Sequence, residues 1–154
     1  MGITKAFAIL APVPKEHLLD AMETCDREGK IALGSEAWEL FRQVDELRKG
    51  SEVEVLIYPC HADSEKPMRM EASWRGVYVG HQPSRRGRYP GDKRFRPPFA
   101  QTDKPTWAVF WEIRDLIELP DSDYIPMTSL RGLDKKFDYS LRNGTHGPLL
   151  IEYP

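Results

Sequence analysis

Polar and apolar residues follow two rhythms along this chain, and the change between them falls at Gly50. Before it, Leu18, Leu19, Met22 and Cys25 recur at helical spacing as far as Arg27, and the run EGK predicts a stop. The stretch from Ser35 to Gly50 carries the clearest helical pattern, predicted over 35–48. Ala37, Trp38, Phe41, Val44 and Leu47 form one apolar stripe on it. Ser35 stands where an N-cap belongs, Glu36 lies in the first turn, and Arg48, Lys49 and Gly50 supply a basic last turn and a stop. Ahead of both helices, the apolar run KAFAIL at 5–10 predicts a strand that ends at Pro12 and Pro14, with Pro14 opening the first helix.

After Gly50 the period is two. EVEVLIY predicts a strand that becomes fully apolar toward its end, and 68–80 reads as one long strand with room for a bulge or bend at Gly76 or Gly80. A third strong signal spans 106–119, bends after Trp111 and ends at Pro120. IPMTSLRGL reads as a short helix and PLLIEYP as a closing strand. The segment 81–105 is irregular, because Pro83, Pro90, Pro97 and Pro98 exclude ordinary ladder pairing there. Long strands in sequence leave open edges unless the sheet curls. The expected fold is therefore α+β and rich in β: one partly closed barrel with the N-terminal helices against its opening.

Length supports one domain spanning 1–154, since 154 residues bury a substantial core without metal or disulfides. The net charge of −2 says little, but its distribution says more. Residues 81–104 hold seven bases (Arg85, Arg86, Arg88, Lys93, Arg94, Arg96 and Lys104) against Asp92 and Asp103, a local excess of five positive charges. Such a surface suits an anionic partner. The two cysteines, Cys25 and Cys60, form no disulfide framework and fit a reducing compartment. The N-terminal apolar run is too short for a membrane span or a secretory signal, so the expectation is a cytoplasmic protein without membrane contact.

The stretches at 50–61, 73–80 and 107–120 resemble the PUA-like superfamily, which contains the PUA, EVE, YTH and ASCH domains, and are most similar to EVE domains. The shared features are a glycine-plus-acid turn, an apolar strand ending near tyrosine and histidine, a returning strand ending in glycine, and a later segment ending at proline. Pro59 and Cys60 separate Tyr58 from His61 here. The resemblance implies an open pseudo-barrel with flanking helices, whose cleft receives a base, often a modified one, from DNA or RNA. The lysine–threonine–glutamate trio of ASCH-like enzymes that hydrolyse acetylated cytidine has no counterpart that this sequence places.

Base recognition needs flat faces to stack on and polar edges to select. The expected base site comprises Trp38, Tyr58, His61, Trp74 and Arg75, where the central strands meet the first helices. The expected phosphate contacts are Ser35, Arg85, Arg86, Arg88, Lys93, Arg94 and Arg96, with Tyr89, Phe95 and Phe99 interspersed among the last of these. The polar run YPCHADSE also offers Cys60, His61 and Asp63, but neighbours on an extended backbone point to opposite sides, which separates Cys60 from His61. His81 could join them as a further metal donor, but no zinc spacing is present. No catalytic residue, metal or organic cofactor is assigned. The leading expectation is a non-catalytic module binding nucleic acid or a modified nucleobase. The alternatives are a small hydrolase of a modified nucleoside or amide, and a protein-interaction module using the basic loop.

Overall fold

A computed structural model describes residues 2–61, 66–100, 106–133 and 147–154. Within them the chain is α+β and strand-rich, with two sheets and two flanking helices. β1 (Ile3–Pro14) leads into α1 (Lys15–Glu28), and β2 (Ile31–Ser35) into α2 (Trp38–Arg48). Then come β3 (Glu52–Cys60), β4 (Glu71–Ala72), β5 (Trp74–Pro83), β6 (Val109–Glu118), β7 (Ile125–Pro126) and β8 (Leu149–Ile151). The larger sheet has the order β2-β6-β5-β3-β1-β8, and β4 pairs with β7 in a small second sheet. Only β1 and β3 run parallel among these pairs; the rest are antiparallel.

Two of the expected boundaries are corrected. β1 does not end at Pro12 but continues to Pro14 beside β3. β8 covers only Ala8 to Leu10 on the other side of β1, so beyond Leu10 no strand among the described residues pairs with that side and two prolines in alternation are tolerated. Residues 31–35, for which the pattern predicted no strand, form β2 against β6. Ser35 is consequently the last residue of a strand, and α2 begins at Trp38. The helix ends as expected: Lys49 and Gly50 both take left-handed conformations, with φ of 49° and 84°.

The long strand expected over 68–80 is split into β4 and β5, and β7 with a 3-10 turn at Met127–Ser129 replaces the expected short helix. Two register slips mark the ladder between β5 and β6, one between Arg75 and Val77 and one between Tyr78 and Gly80, the neighbourhoods of the two suspected glycines. At the first slip the extra residue lies on β6. Asp115 takes φ of 53° there, and Ile113 and Leu116 both end up in one core despite being three apart.

That core packs α1 and α2 against one face of the sheet, around Ile9, Val55, Ile57, Phe41, Val44, Tyr78, Trp111 and Ile113. A second core occupies the other face, where Leu10, Leu56, Tyr58 and Cys60 meet Met127, Leu130 and Ile151. β3 is thus buried on both faces, which explains why its alternation gives way to a continuous apolar run. No helix of the described residues is long and apolar enough to cross a membrane.

Candidate functional site

A cleft of about 630 Å3 opens between α2 and the end of β5. Trp38, Arg42, Asp45 and Glu46 line one wall, and His81, Pro83, Ala108 and Val109 the other. On α2 the first three follow one another by four and three residues, so helical spacing alone places them on one face. That face lies beside the buried stripe of Phe41 and Val44 rather than on it. Trp38 therefore leaves the core and is 47 % exposed at the cleft.

Asp45 organises the cleft's polar wall. Its Oδ1 accepts from Arg48 Nε at 2.8 Å and from the Tyr78 hydroxyl at 2.9 Å. Its Oδ2 lies 2.9 Å from His81 Nδ1, which is also 3.1 Å from the Tyr78 hydroxyl. Arg48 is fixed in turn by donating to the Ser51 carbonyl at 3.1 Å. Burial pushes the Tyr78 phenol far above its ordinary pKa, and the hydrogen bond to Asp45 adds to the rise, so it stays a donor. Phe41 supports the group from within the core, stacking on Tyr78 and Trp111 with centroids at 5.7 and 5.2 Å, and lying 6.0 Å from His81.

Tyr78 and His81 are three apart on β5, and in a regular strand they would point to opposite faces. The slip between Tyr78 and Gly80 inserts one residue on β5 and brings both side chains to Asp45. A bulge that re-aims a side chain toward a cleft is a recurrent use of this irregularity.

The expected site residues are dispersed. Trp38 alone of the expected base contacts lines the cleft. Tyr58 is fully buried in the second core and Trp74 is buried in the first, because Trp74 pairs with Ile57 and adjacent residues of β3 face opposite ways. His61 is exposed just past β3, where its amide donates to the Lys66 carbonyl at 3.0 Å. Arg75 sits on an outer face with Nε 2.8 Å from the buried Glu54. The pocket expected around Tyr58, His61 and Trp74 is therefore not formed. Cys60 is buried and His61 exposed, so they do not face each other, and Asp63 lies outside the described residues.

Of the expected phosphate contacts, Ser35 is buried and its hydroxyl accepts from the Ala37 amide at 3.0 Å. Arg85 and Arg88 exchange backbone hydrogen bonds across a tight turn whose central residues, Arg86 and Gly87, have φ of 57° and 82°. All three arginines are exposed, and the turn directly continues the strand that carries Pro83 to the cleft. Lys93 and Arg94 are also exposed, and Arg94 lies over the Phe95 ring at 4.7 Å. Arg96 is the exception. It is buried, donates to the carbonyls of Ala32 at 2.6 Å and Ala100 at 3.0 Å, and covers the Phe110 ring at 4.8 Å. Lys104 and the side chain of Phe99 lie outside what is described.

Beside Arg96, Glu112 accepts from the Tyr89 hydroxyl at 2.5 Å and Gln82 Nε2 at 3.1 Å, with Lys30 Nζ at 3.3 Å. These bonds strap the basic segment to the outer face of β6. Among the described residues no group of three or more His, Cys, Asp or Glu side chains is arranged to hold a metal ion.

Sequence reasoning missed Asp45 altogether and met His81 only as a metal donor. The spacing of Trp38, Arg42 and Asp45 was a readable signal, whereas the pairing of Asp45 with His81 was not. No protein-family model matches this chain, and no curated protein or solved structure matches it either.

Proposed function

We propose that the chain is a PUA-like domain, its larger sheet curled as an open pseudo-barrel, that binds DNA or RNA and holds one base, plain or modified, in the cleft beside α2. The observation that carries this reading is Trp38, an indole 47 % exposed at the wall of a cleft that also presents Arg42, Glu46 and the hydrogen-bonded pair of Asp45 and His81. An exposed tryptophan is a stacking face, and stacking accepts any base. The exposed turn of Arg85, Arg86 and Arg88 continues from the cleft wall and supplies cations for the backbone. Tyr58 and Trp74, being buried, have no part in this version of the site.

Titration of single-stranded oligonucleotides tests it. Trp38→Ala should weaken binding by about 1–3 kcal/mol without changing the unfolding midpoint. Exchanging Arg85, Arg86 and Arg88 for glutamine should lower the salt slope by roughly 0.7 for each phosphate that is no longer neutralised, equally for all bases. Unchanged affinity and slope in both variants would assign the basic segment to protein contacts instead.

The pair of Asp45 and His81 favours a second reading, hydrolysis of a modified nucleoside with water as the nucleophile. A histidine oriented by a carboxylate and reaching a cleft is the arrangement of a general base. In that case His81→Phe abolishes turnover while Trp38-dependent binding persists.

A further inference from the structure

His81 has two ring nitrogens, and Asp45 engages one of them. An ionised carboxylate only accepts hydrogen bonds, so the contact at 2.9 Å requires the hydrogen to sit on Nδ1. In the neutral ring, Nε2 then carries a lone pair and no hydrogen. Nε2 makes no hydrogen bond among the described residues, and none of their buried side-chain nitrogens or oxygens is left without a partner. The lone pair is therefore open, on a residue that lines the cleft. Along the same cleft Glu46 is a second acceptor and Arg42 a donor; both are exposed, and Arg42 Nε lies 3.6 Å from one Glu46 oxygen, which leaves the other oxygen for a ligand.

We propose that the cleft reads the donor edge of a nucleobase, a ring N–H beside an exocyclic amine. The acceptors are His81 Nε2 and the Glu46 carboxylate, and Arg42 donates to the neighbouring carbonyl oxygen of the base. Asp45 is the positioning residue that fixes the imidazole as an acceptor. This rests on the base-binding reading above and names its substrate class. Among the unmodified bases, guanine alone presents two adjacent donors and a carbonyl oxygen on its pairing edge. Adenine and cytosine present one donor there, and uracil one donor between two acceptors.

Asp45→Asn separates the tautomer from the packing. Arg48 Nε and the Tyr78 hydroxyl both donate to the same carboxylate oxygen, at 2.8 and 2.9 Å. An asparagine there must keep its oxygen on that side, which turns its amide NH2 toward His81. That NH2 only donates, so Nδ1 becomes the acceptor and the ring hydrogen moves to Nε2. The same substitution in a catalytic triad produces the wrong tautomer for this reason. Nitrogen-15 spectra of the His81 ring report which nitrogen carries the hydrogen, a signature that a merely structural role for Asp45 would not move.

Affinities are then measured for one single-stranded oligonucleotide carrying guanine, inosine or 1-methylguanine at a single position, in a buffer in which the nitrogen-15 spectra show the ring neutral. Inosine lacks the exocyclic amine, and 1-methylguanine lacks the ring N–H. The parent should bind the guanine strand about two- to tenfold more tightly than the 1-methylguanine strand, with inosine between them. In Asp45→Asn that ranking should collapse as the hydrogen moves. His81→Phe, which keeps a ring but has no nitrogen, should lose it too while retaining the weaker binding of 1-methylguanine. Trp38-dependent binding with no ranking in the parent, or a ranking that survives after the hydrogen has moved, overturns the donor-edge inference alone. Absence of binding to every strand, or equal binding by Trp38→Ala and the parent, overturns the base-binding reading and this inference with it.

Discussion

Replacing Arg96 with alanine tests whether the basic segment is anchored as its contacts imply. β2 is an outer strand of the larger sheet, so carbonyls that point away from β6 need donors from elsewhere. Arg96 supplies one to the carbonyl of Ala32, a residue with no exposed surface, at 2.6 Å. Leaving such a carbonyl without a partner costs about 1–3 kcal/mol, and loss of the guanidinium over Phe110 adds about 0.5–1 kcal/mol. A term of opposite sign enters because the guanidinium is itself buried. Burial pulls its pKa down to about 10, so it stays charged at neutral pH at some cost that the substitution removes. The net expectation is a loss of about 1–3 kcal/mol, or roughly 3–10 °C in Tm for a domain of this size. Urea unfolding followed by tryptophan fluorescence measures it, with Arg94→Ala as the control. Arg94 is exposed and, among the described residues, its side chain meets only its neighbours Asp92 and Phe95, so its removal should cost less than about 0.5 kcal/mol. Arg96→Met, which keeps packing and loses the donors, should fall between the two. Equal midpoints for Arg96→Ala and Arg94→Ala would refute the anchoring argument and return Arg96 to the exposed cations.

Two further expectations follow from the strand ladder. Gly76→Ala should destabilise the fold by about 1–3 kcal/mol, because a Cβ there would meet Ile113 Cγ2 at 2.6 Å inside the first core; an unchanged urea midpoint would show that Ile113 yields freely. Glu52 accepts from Arg114 Nη2 at 2.5 Å and Nε at 3.0 Å, and this hydrogen bonding holds its carboxyl below the ordinary glutamate range. A depressed carboxyl stabilises the fold fully above its unfolded pKa and loses that contribution as pH falls through the folded value. Glu52→Gln should therefore cost less than about 1 kcal/mol at neutral pH, since both partners are partly exposed, and flatten the acid limb of a stability–pH profile.

Much of this architecture was decided by local pattern. The period-two runs after Gly50 are β3, β5 and β6, and both suspected glycines mark register slips; of the expected stripe on α2, Phe41 and Val44 are buried whereas Trp38 and Leu47 are exposed. These features depend on neighbours a few residues away, which is the range over which hydrophobic periodicity and glycine act. β2 was hidden because five residues beside a helix start carry too short a pattern, and only the β6 ladder makes them a strand. Trp38 falls on the apolar stripe of the helical wheel and reads as core there, and only the position of β5 makes it the border of a cleft. Tyr58 resembled a site residue because the second core that buries it draws in Met127, Leu130 and Ile151, far along the chain. Arg96 carried the same charge as its exposed neighbours, yet an edge carbonyl of β2 demanded a donor at its place. The meeting of Asp45 with Tyr78 and His81 depends on where the β5–β6 pairing gains one residue. Glycine made that slip permissible, but strand register, a property of two partners rather than of either sequence alone, determined which side chains it brought together.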